Sequence, residues 1–165
     1  MLTTLRFFRL LSLIVWLGGI IFFAFVLAPT VFAPFVVSRT HSFVLSGEIV
    51  AASLSKLHWI GLVCGVVFIV ISIVLALLKK TFLARTIFPC MLAAVMILLT
   101  AYSQFSIMPR MERDRITAGG DIDSLSTTHP ARAEFERLHP RSEHVEEAVL
   151  FCGLALTVLL ARRQD

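Results

Sequence analysis

The chain has 165 residues, 58% of them hydrophobic, a formal net charge of +4, a pI near 9.4 and a mean hydropathy of +0.88. A soluble domain runs at roughly 45–50% apolar, and the excess here sits in a few long runs, so the chain reads as one membrane domain and not as a water-soluble globule. The basic residues form short groups flanking those runs, which excludes a nucleic-acid patch. Cys64, Cys90 and Cys152 each lie inside an apolar run, which excludes a secreted disulfide framework and fits small buried apolar residues.

The first run, Leu10–Ala28, follows Arg6 and Arg9. A signal peptide also starts basic, but the apolar core here is about twenty residues, above the roughly 7–15 of a signal h-region. No A-x-A site precedes a plausible cut, and Pro29 stands where cleavage would fall, so an uncleaved span is expected, ended or kinked by Pro29 and Pro34. The second run, Leu57–Leu78, corresponds to roughly 33 Å of helix. Lys79-Lys80 stops it, and the segment from Ser46 to Ala52 can extend it outward. The third, Thr86–Met108, is closed by Pro109-Arg110, and the charged, Gly/Ser/Thr-rich stretch to Arg132 reads as a polar loop. From Ala131 to Glu147 the composition favours helix, with a cap or kink near Pro140. The last run, Ala148–Ala161, supplies only about fourteen uncharged residues, some 21 Å against a core of about 30 Å. It must therefore carry His144, Glu146 and Glu147 to the membrane edge. The expectation is an all-α, integral membrane four-helix bundle, a single domain over 1–165 with spans at about 8–28, 57–78, 86–108 and 143–161, and a polar outer loop at 109–133.

One side of this arrangement holds Arg6, Arg9, Lys79, Lys80, Arg85, Arg162 and Arg163, with Asp165 the one acid. The other holds Arg39, Lys56, Arg110, Arg113, Arg115, Arg132, Arg137 and Arg141 against ten acids. Orientation follows basic residues close to span ends, and acids count little. Both termini are therefore expected in the cytoplasm, in a multi-pass protein of the inner (plasma) membrane.

Counting about twenty residues per crossing from the basic flanks gathers His58, Trp59, Tyr102, Gln104, His144, Glu146 and Glu147 at the outer rim, with Lys56 and His139 just above. Much of this is ordinary for an interface, where Trp59 and Tyr102 form an aromatic belt and Lys56 snorkels. Helical spacing singles out His58, which shares a stripe with Gly61, Gly65, Ser72 and Ala76. The small-xxx-small pair lets helices approach closely, so His58 is expected to point inward. The glycines of this pair and Gly18-Gly19 would serve contacts within one chain or between chains, leaving a homo-oligomer or another membrane protein open as partner. On the last span, His144 shares a stripe with Ala148, Cys152 and Ala155, and meeting faces would bring the two histidines together, with Gln104 joining from the third.

Imidazole is the commonest metal ligand, so His58, His139 and His144 with a carboxylate would hold zinc or copper, and facing histidines would ligate haem. Met108 and Met111 offer thioethers that suit Cu(I). No spacing is diagnostic: HExxH, CxxC and CxxCH do not occur. A proton-carrying transport path through Glu146, Glu147 and histidine is a further reading. Hydrolase chemistry is disfavoured, because Ser142 near His139 and Glu143 lacks any elbow or oxyanion loop.

The opening Arg6-Phe7-Phe8-Arg9-Leu10, then Trp16-Leu17-Gly18-Gly19 and Ala28-Pro29, resembles the start of the bacterial domain of unknown function 4149 family, which is similar to human transmembrane protein 205. Ser46-Gly47-Glu48-Ile49, Leu57-His58, Pro109 and Phe135-x-x-Leu138-His139-x-x-Ser142 add to the resemblance. Pro140 directly after His139 is a local departure from it. The resemblance implies a four-helix membrane protein without an established activity, and so no catalytic residue. It also implies a distant similarity to the copper-resistance CopD group and the HemJ-type haem proteins, which favours copper or haem over hydrolysis. The leading expectation is a binding or scaffold protein with a polar site at the outer face, centred on His58, Gln104, His139 and His144. The alternative is a copper- or haem-dependent membrane enzyme or transporter.

Overall fold

A computed structural model describes residues 2–34, 36–37, 43–79 and 84–162. Arg39, Lys80, Arg163 and Asp165, used in the orientation count, lie outside the described residues. Helix α1 spans Leu2–Phe22 and passes through a π turn, Phe23–Leu27, into the short α2, Ala28–Val31. Helix α3 is Phe43–Lys79, and α4 is Ala84–Tyr102, which passes through a second π turn, Ser103–Ile107, into α5, Met108–Thr117. A 3-10 turn at Ile122–Ser124 precedes α6, Pro130–Ala161.

Four segments are long and apolar enough to cross a membrane: Leu2–Val31, Val44–Leu78, Thr86–Thr117 and Pro130–Ala161. They run up and down in order, with α3 packed on α1 and α4, and α6 packed on α4 and less extensively on α1. The ends at Leu2 and Ala161 share one end of the bundle; α2, α5 and the 118–129 loop share the other. The exterior is apolar, unlike that of a soluble bundle, and several polar side chains are buried. Phe25, Leu77, Leu98 and Phe151 are each at least 68% exposed, while His58, Ser72, Thr100 and Ser103 are buried. Hydrocarbon is the solvent that suits such a surface.

The core at the terminal end joins Leu13, Trp16 and Leu17 of α1 to Phe68, Met96, Leu156 and Leu160. Glycines set its closest approaches. Any Cβ at Gly61 or Gly65 of α3 would run into the Trp16 indole, and one at Gly153 of α6 would run into Leu17. These small-residue contacts are thus made within the chain. A smaller core at the other end packs Ile107 and Met111 on Leu138, with Phe135 and Val145 beside them.

The proline expectations need correcting. Pro29 and Pro109 do not stop their helices, and the expected loop at 109–133 is shorter, because α5 carries the third helix on to Thr117. A proline cannot donate to the carbonyl four residues back, here Phe25 or Phe105. Both carbonyls lie inside a π turn, and the residue before each proline donates five residues back: Ala28 N–H to Phe23 O and Met108 N–H to Ser103 O. The wider turn makes room for each ring without ending the helix. Pro140 neither caps nor breaks α6; the cap is His129, whose Nδ1 accepts from Ala131 N–H at 3.2 Å, with Pro130 in the first turn. Gly119 and Gly120 take positive φ (65° and 96°) where the chain leaves α5, a conformation that favours glycine. Arg132 then pins the loop by donating to Leu125 O at 2.8 Å and Asp123 O at 3.1 Å.

Gly65→Leu should lower unfolding stability in detergent by about 1–3 kcal/mol through overpacking. Gly18→Ala, whose new Cβ would meet nothing within 4 Å, should stay within about 0.5 kcal/mol. A neutral Gly65→Leu in an SDS unfolding titration would show that α1 and α3 do not meet there.

Candidate functional site

The buried polar chain lies across three helices at the end of the bundle opposite the termini. His58 of α3 is 1% exposed. Its Nδ1 lies 2.9 Å from Gln104 Oε1, inside the second π turn, and its Nε2 lies 2.7 Å from Glu146 Oε1 on α6. Gln104 in turn donates from Nε2 to Ser55 Oγ at 3.1 Å, one turn back along α3. Burial of an unpaired imidazole or carboxylate is costly, so the four groups satisfy one another. Thr100, one turn from Gln104 on α4, adds a buried hydroxyl with no partner among the described residues.

The π turn matters to this geometry. Five residues per hydrogen-bonded step instead of four rotate the side chains that follow relative to a regular helix. Gln104 sits within the turn and is the residue that reaches His58.

Glu146 has a second face. It lines a cleft of about 700 Å³ between α1–α2 and α6, backed by the first half of α3 and roofed by α5 and the loop at 120–123. The lower walls are apolar: Ile20, Phe23, Ala51, Leu54, Leu57 and Leu150. The rim is charged. Arg115 is held by Glu112 at 3.0 Å and stands 5.8 Å over the Phe135 ring. His139 stacks on Phe135 with centroids 5.9 Å apart and pairs with Glu143 at 3.4 Å. Ser142 is buried, lines the cleft, and has no side-chain hydrogen bond among the described residues.

The family model described as a domain of unknown function (DUF4149) matches residues 11–115. The chain belongs to this family. No curated protein and no solved structure matches the chain significantly. In this DUF4149 chain the matched residues carry Ser55, His58 and Gln104, while Glu146 comes from α6, beyond them.

The sequence reading placed His58 facing inward, and it does face inward. Gln104 meets it from α4, and the partner from α6 is Glu146 where His144 was expected. His144 is not brought to His58; its side chain is 76% exposed and pairs with Glu147 at 3.3 Å. The buried face of α6 runs through Ser142, Val149, Gly153 and Leu156, one step round from Ala148, Cys152 and Ala155. Gly153, where α6 approaches Leu17, sets that face, and two positions beyond His144 it presents Glu146. His139 lies on the rim with its side chain 58% exposed. Tyr102 is 41% exposed, and Trp59 packs edge-on against Phe105, both facing out as a belt would. Ser55 was missed, although its spacing from His58 (three residues, one turn) was a usable signal. The cleft was also missed, since its walls come from five segments remote in sequence.

His58→Ala should destabilise the protein by about 3 kcal/mol, because it strands Glu146 and Gln104. Combining it with Glu146→Ala should cost less than the sum of the two single changes. Additivity within about 0.5 kcal/mol in a double-mutant cycle would show that the two side chains do not interact. His144→Ala should change stability by less than about 0.5 kcal/mol.

Proposed function

We propose that this multi-pass membrane protein is a binding protein, not an enzyme, and that it takes an amphiphilic molecule from the surrounding leaflet into the cleft between α1–α2 and α6. The observation that carries the reading is the cleft itself. About 700 Å³ of space has an apolar base and a charged rim, within the range of sites that hold a small molecule, roughly 300–1,000 Å³. The apolar body would lie against Leu54, Leu57 and Leu150, with its polar end at Ser142, Glu146 and the rim. In this reading the cleft end faces outward from an inner membrane and both termini lie in the cytoplasm, which Arg6, Arg9 and Arg162 at the terminal end support.

Amphiphile binding is preferred to a copper or haem centre because of how the histidines are committed. Both ring nitrogens of His58 are engaged in hydrogen bonds, leaving no lone pair for a metal. His139 and His144 stand on the exposed side of α6 in pairs with Glu143 and Glu147. Among the described residues no three His, Cys, Asp or Glu side chains converge as a ligand set.

In lipid nanodiscs, a spin-labelled or photoreactive alkyl amphiphile should mark residues of α3 and α6 that line the cleft. Ala51→Trp, which places an indole in the cleft, should reduce that labelling at least about tenfold while leaving the protein folded, the loss expected when a well-filled pocket is blocked. Labelling spread evenly over the lipid-facing surface, and unchanged by Ala51→Trp, would rule the cleft out as the site.

A further inference from the structure

We infer that the cleft takes an amphiphilic cation in exchange for one proton held by the His58–Glu146 pair. The inference rests on the cleft being a binding site, as proposed above, and adds the class of ligand and what leaves when it binds.

The class follows from charge. Six carboxylates line the cleft, Glu112, Asp121, Asp123, Glu143, Glu146 and Glu147, against one guanidinium, Arg115, and one imidazole, His139. Rim pairs account for much of this: Arg115 with Glu112, His139 with Glu143, His144 with Glu147, and Arg132 with Asp123. Glu146 differs from these, because its partner, His58, is buried behind it and does not line the cleft. Beside it stands the unpartnered hydroxyl of Ser142, buried to better than nine-tenths and open to the cleft. An anionic head would meet a carboxylate here; a cationic head would meet a ready counter-charge.

The proton follows from counting donors. Gln104 donates its amide N–H to Ser55, so its oxygen faces Nδ1 of His58, and that nitrogen must donate. Nε2 faces Glu146 Oε1 at 2.7 Å, a contact that needs one proton between the two atoms. The pair thus holds two protons, one on Nδ1 and one between Nε2 and the Glu146 carboxyl oxygen. Removing the Nδ1 proton does not break the chain. If the Gln104 amide turns over, its NH2 donates to Nδ1 and its oxygen accepts from the Ser55 hydroxyl, with Nε2–H still on Glu146. The same four side chains thus hold every hydrogen bond in two states that differ by one proton.

Cleft occupancy selects between them. A cation at Glu146 while the pair keeps both protons would add an uncompensated positive charge in an apolar setting, which is strongly unfavourable. Loss of one proton from the pair to water, by way of the Glu146 carboxylate that lines the cleft, restores neutrality: one cation enters and one proton leaves. At this level α1 turns Ile20 and Phe23 to the cleft, α4 brings Gln104, α6 brings Glu146, and α5 adds the Arg115–Glu112 pair. Lys56, on α3 itself, is exposed.

The test uses the full chain in weakly buffered zwitterionic nanodiscs, titrated with decyltrimethylammonium, which has no proton of its own to lose, and with decyl sulfate. Wild type should bind the cation in preference to the sulfate, release about one proton per cation bound, and bind up to about tenfold more tightly per unit rise in pH, as one-proton linkage requires. H58Q should release no proton and lose the pH dependence. If H58Q does not fold, the dependence of wild-type binding enthalpy on buffer ionisation decides the matter alone. Cation binding without proton release, or equal binding of the sulfate, overturns the exchange and leaves the cleft as a binding site. Failure of both probes to bind overturns the exchange and the binding reading together.

Discussion

An apolar exterior removes the force that ordinarily assembles a helical bundle. Where the surroundings are hydrocarbon, burying another leucine gains little, and helices are held by close packing and by hydrogen bonds between them. Each is visible here as a specific contact. Trp16 lies against Gly61 and Gly65, Leu17 lies against Gly153, and the chain from Ser55 through Gln104 and His58 to Glu146 joins α3, α4 and α6. The polar chain also fixes rotation. A step of one residue on α6 turns it by about 100°, which would take Glu146 out of reach and leave a buried imidazole without its acceptor. The glycine at 153 and the glutamate at 146 therefore specify the same face twice.

The two π turns connect this packing to the cleft. Each accommodates a proline without ending the helix, and each lies at the level of the site. Phe23, which opens the first turn, lines the cleft, and Gln104 in the second reaches His58. The second turn lets the helix pass Pro109, and α5 continues over the cleft with Met111, Glu112 and Arg115. The ion pair of Arg110 with Glu134, 2.6 Å, and the packing of Met111 on Leu138 hold α5 against α6 and complete the roof.

Much of the architecture was legible in the sequence because hydrocarbon-facing runs are long, continuous and local. Four segments, their order, and the inward direction of His58 all follow from spacing along one helix. What spacing could not supply was the rotation of α6. Ala148, Cys152 and Ala155 look like a small-residue face, yet the single glycine at 153 allows the closer approach, and that choice replaces His144 with Glu146. The prolines misled for a related reason: a proline's missing donor is a local fact, but whether the helix ends depends on how the preceding turn re-pairs its carbonyls. The cleft was illegible because it is made of gaps between segments that are distant in the chain.

Transfer between two apolar media changes free energy little, so a bilayer-borne ligand gains almost nothing from resting its chain against Leu54 and Leu150 instead of lipid tails. Discrimination must then come from the few polar groups that meet the ligand away from bulk water, where a charge is worth more than at an exposed surface. Of the carboxylates on the cleft, Glu146 is the one whose partner sits in the protein interior. Its pairing with His58 keeps the empty cleft from presenting a bare buried anion, and it couples whatever binds at the wall to a hydrogen-bonded chain running through three helices. The apolar base sets the size of ligand the cleft can hold; this one carboxylate sets the charge it will accept.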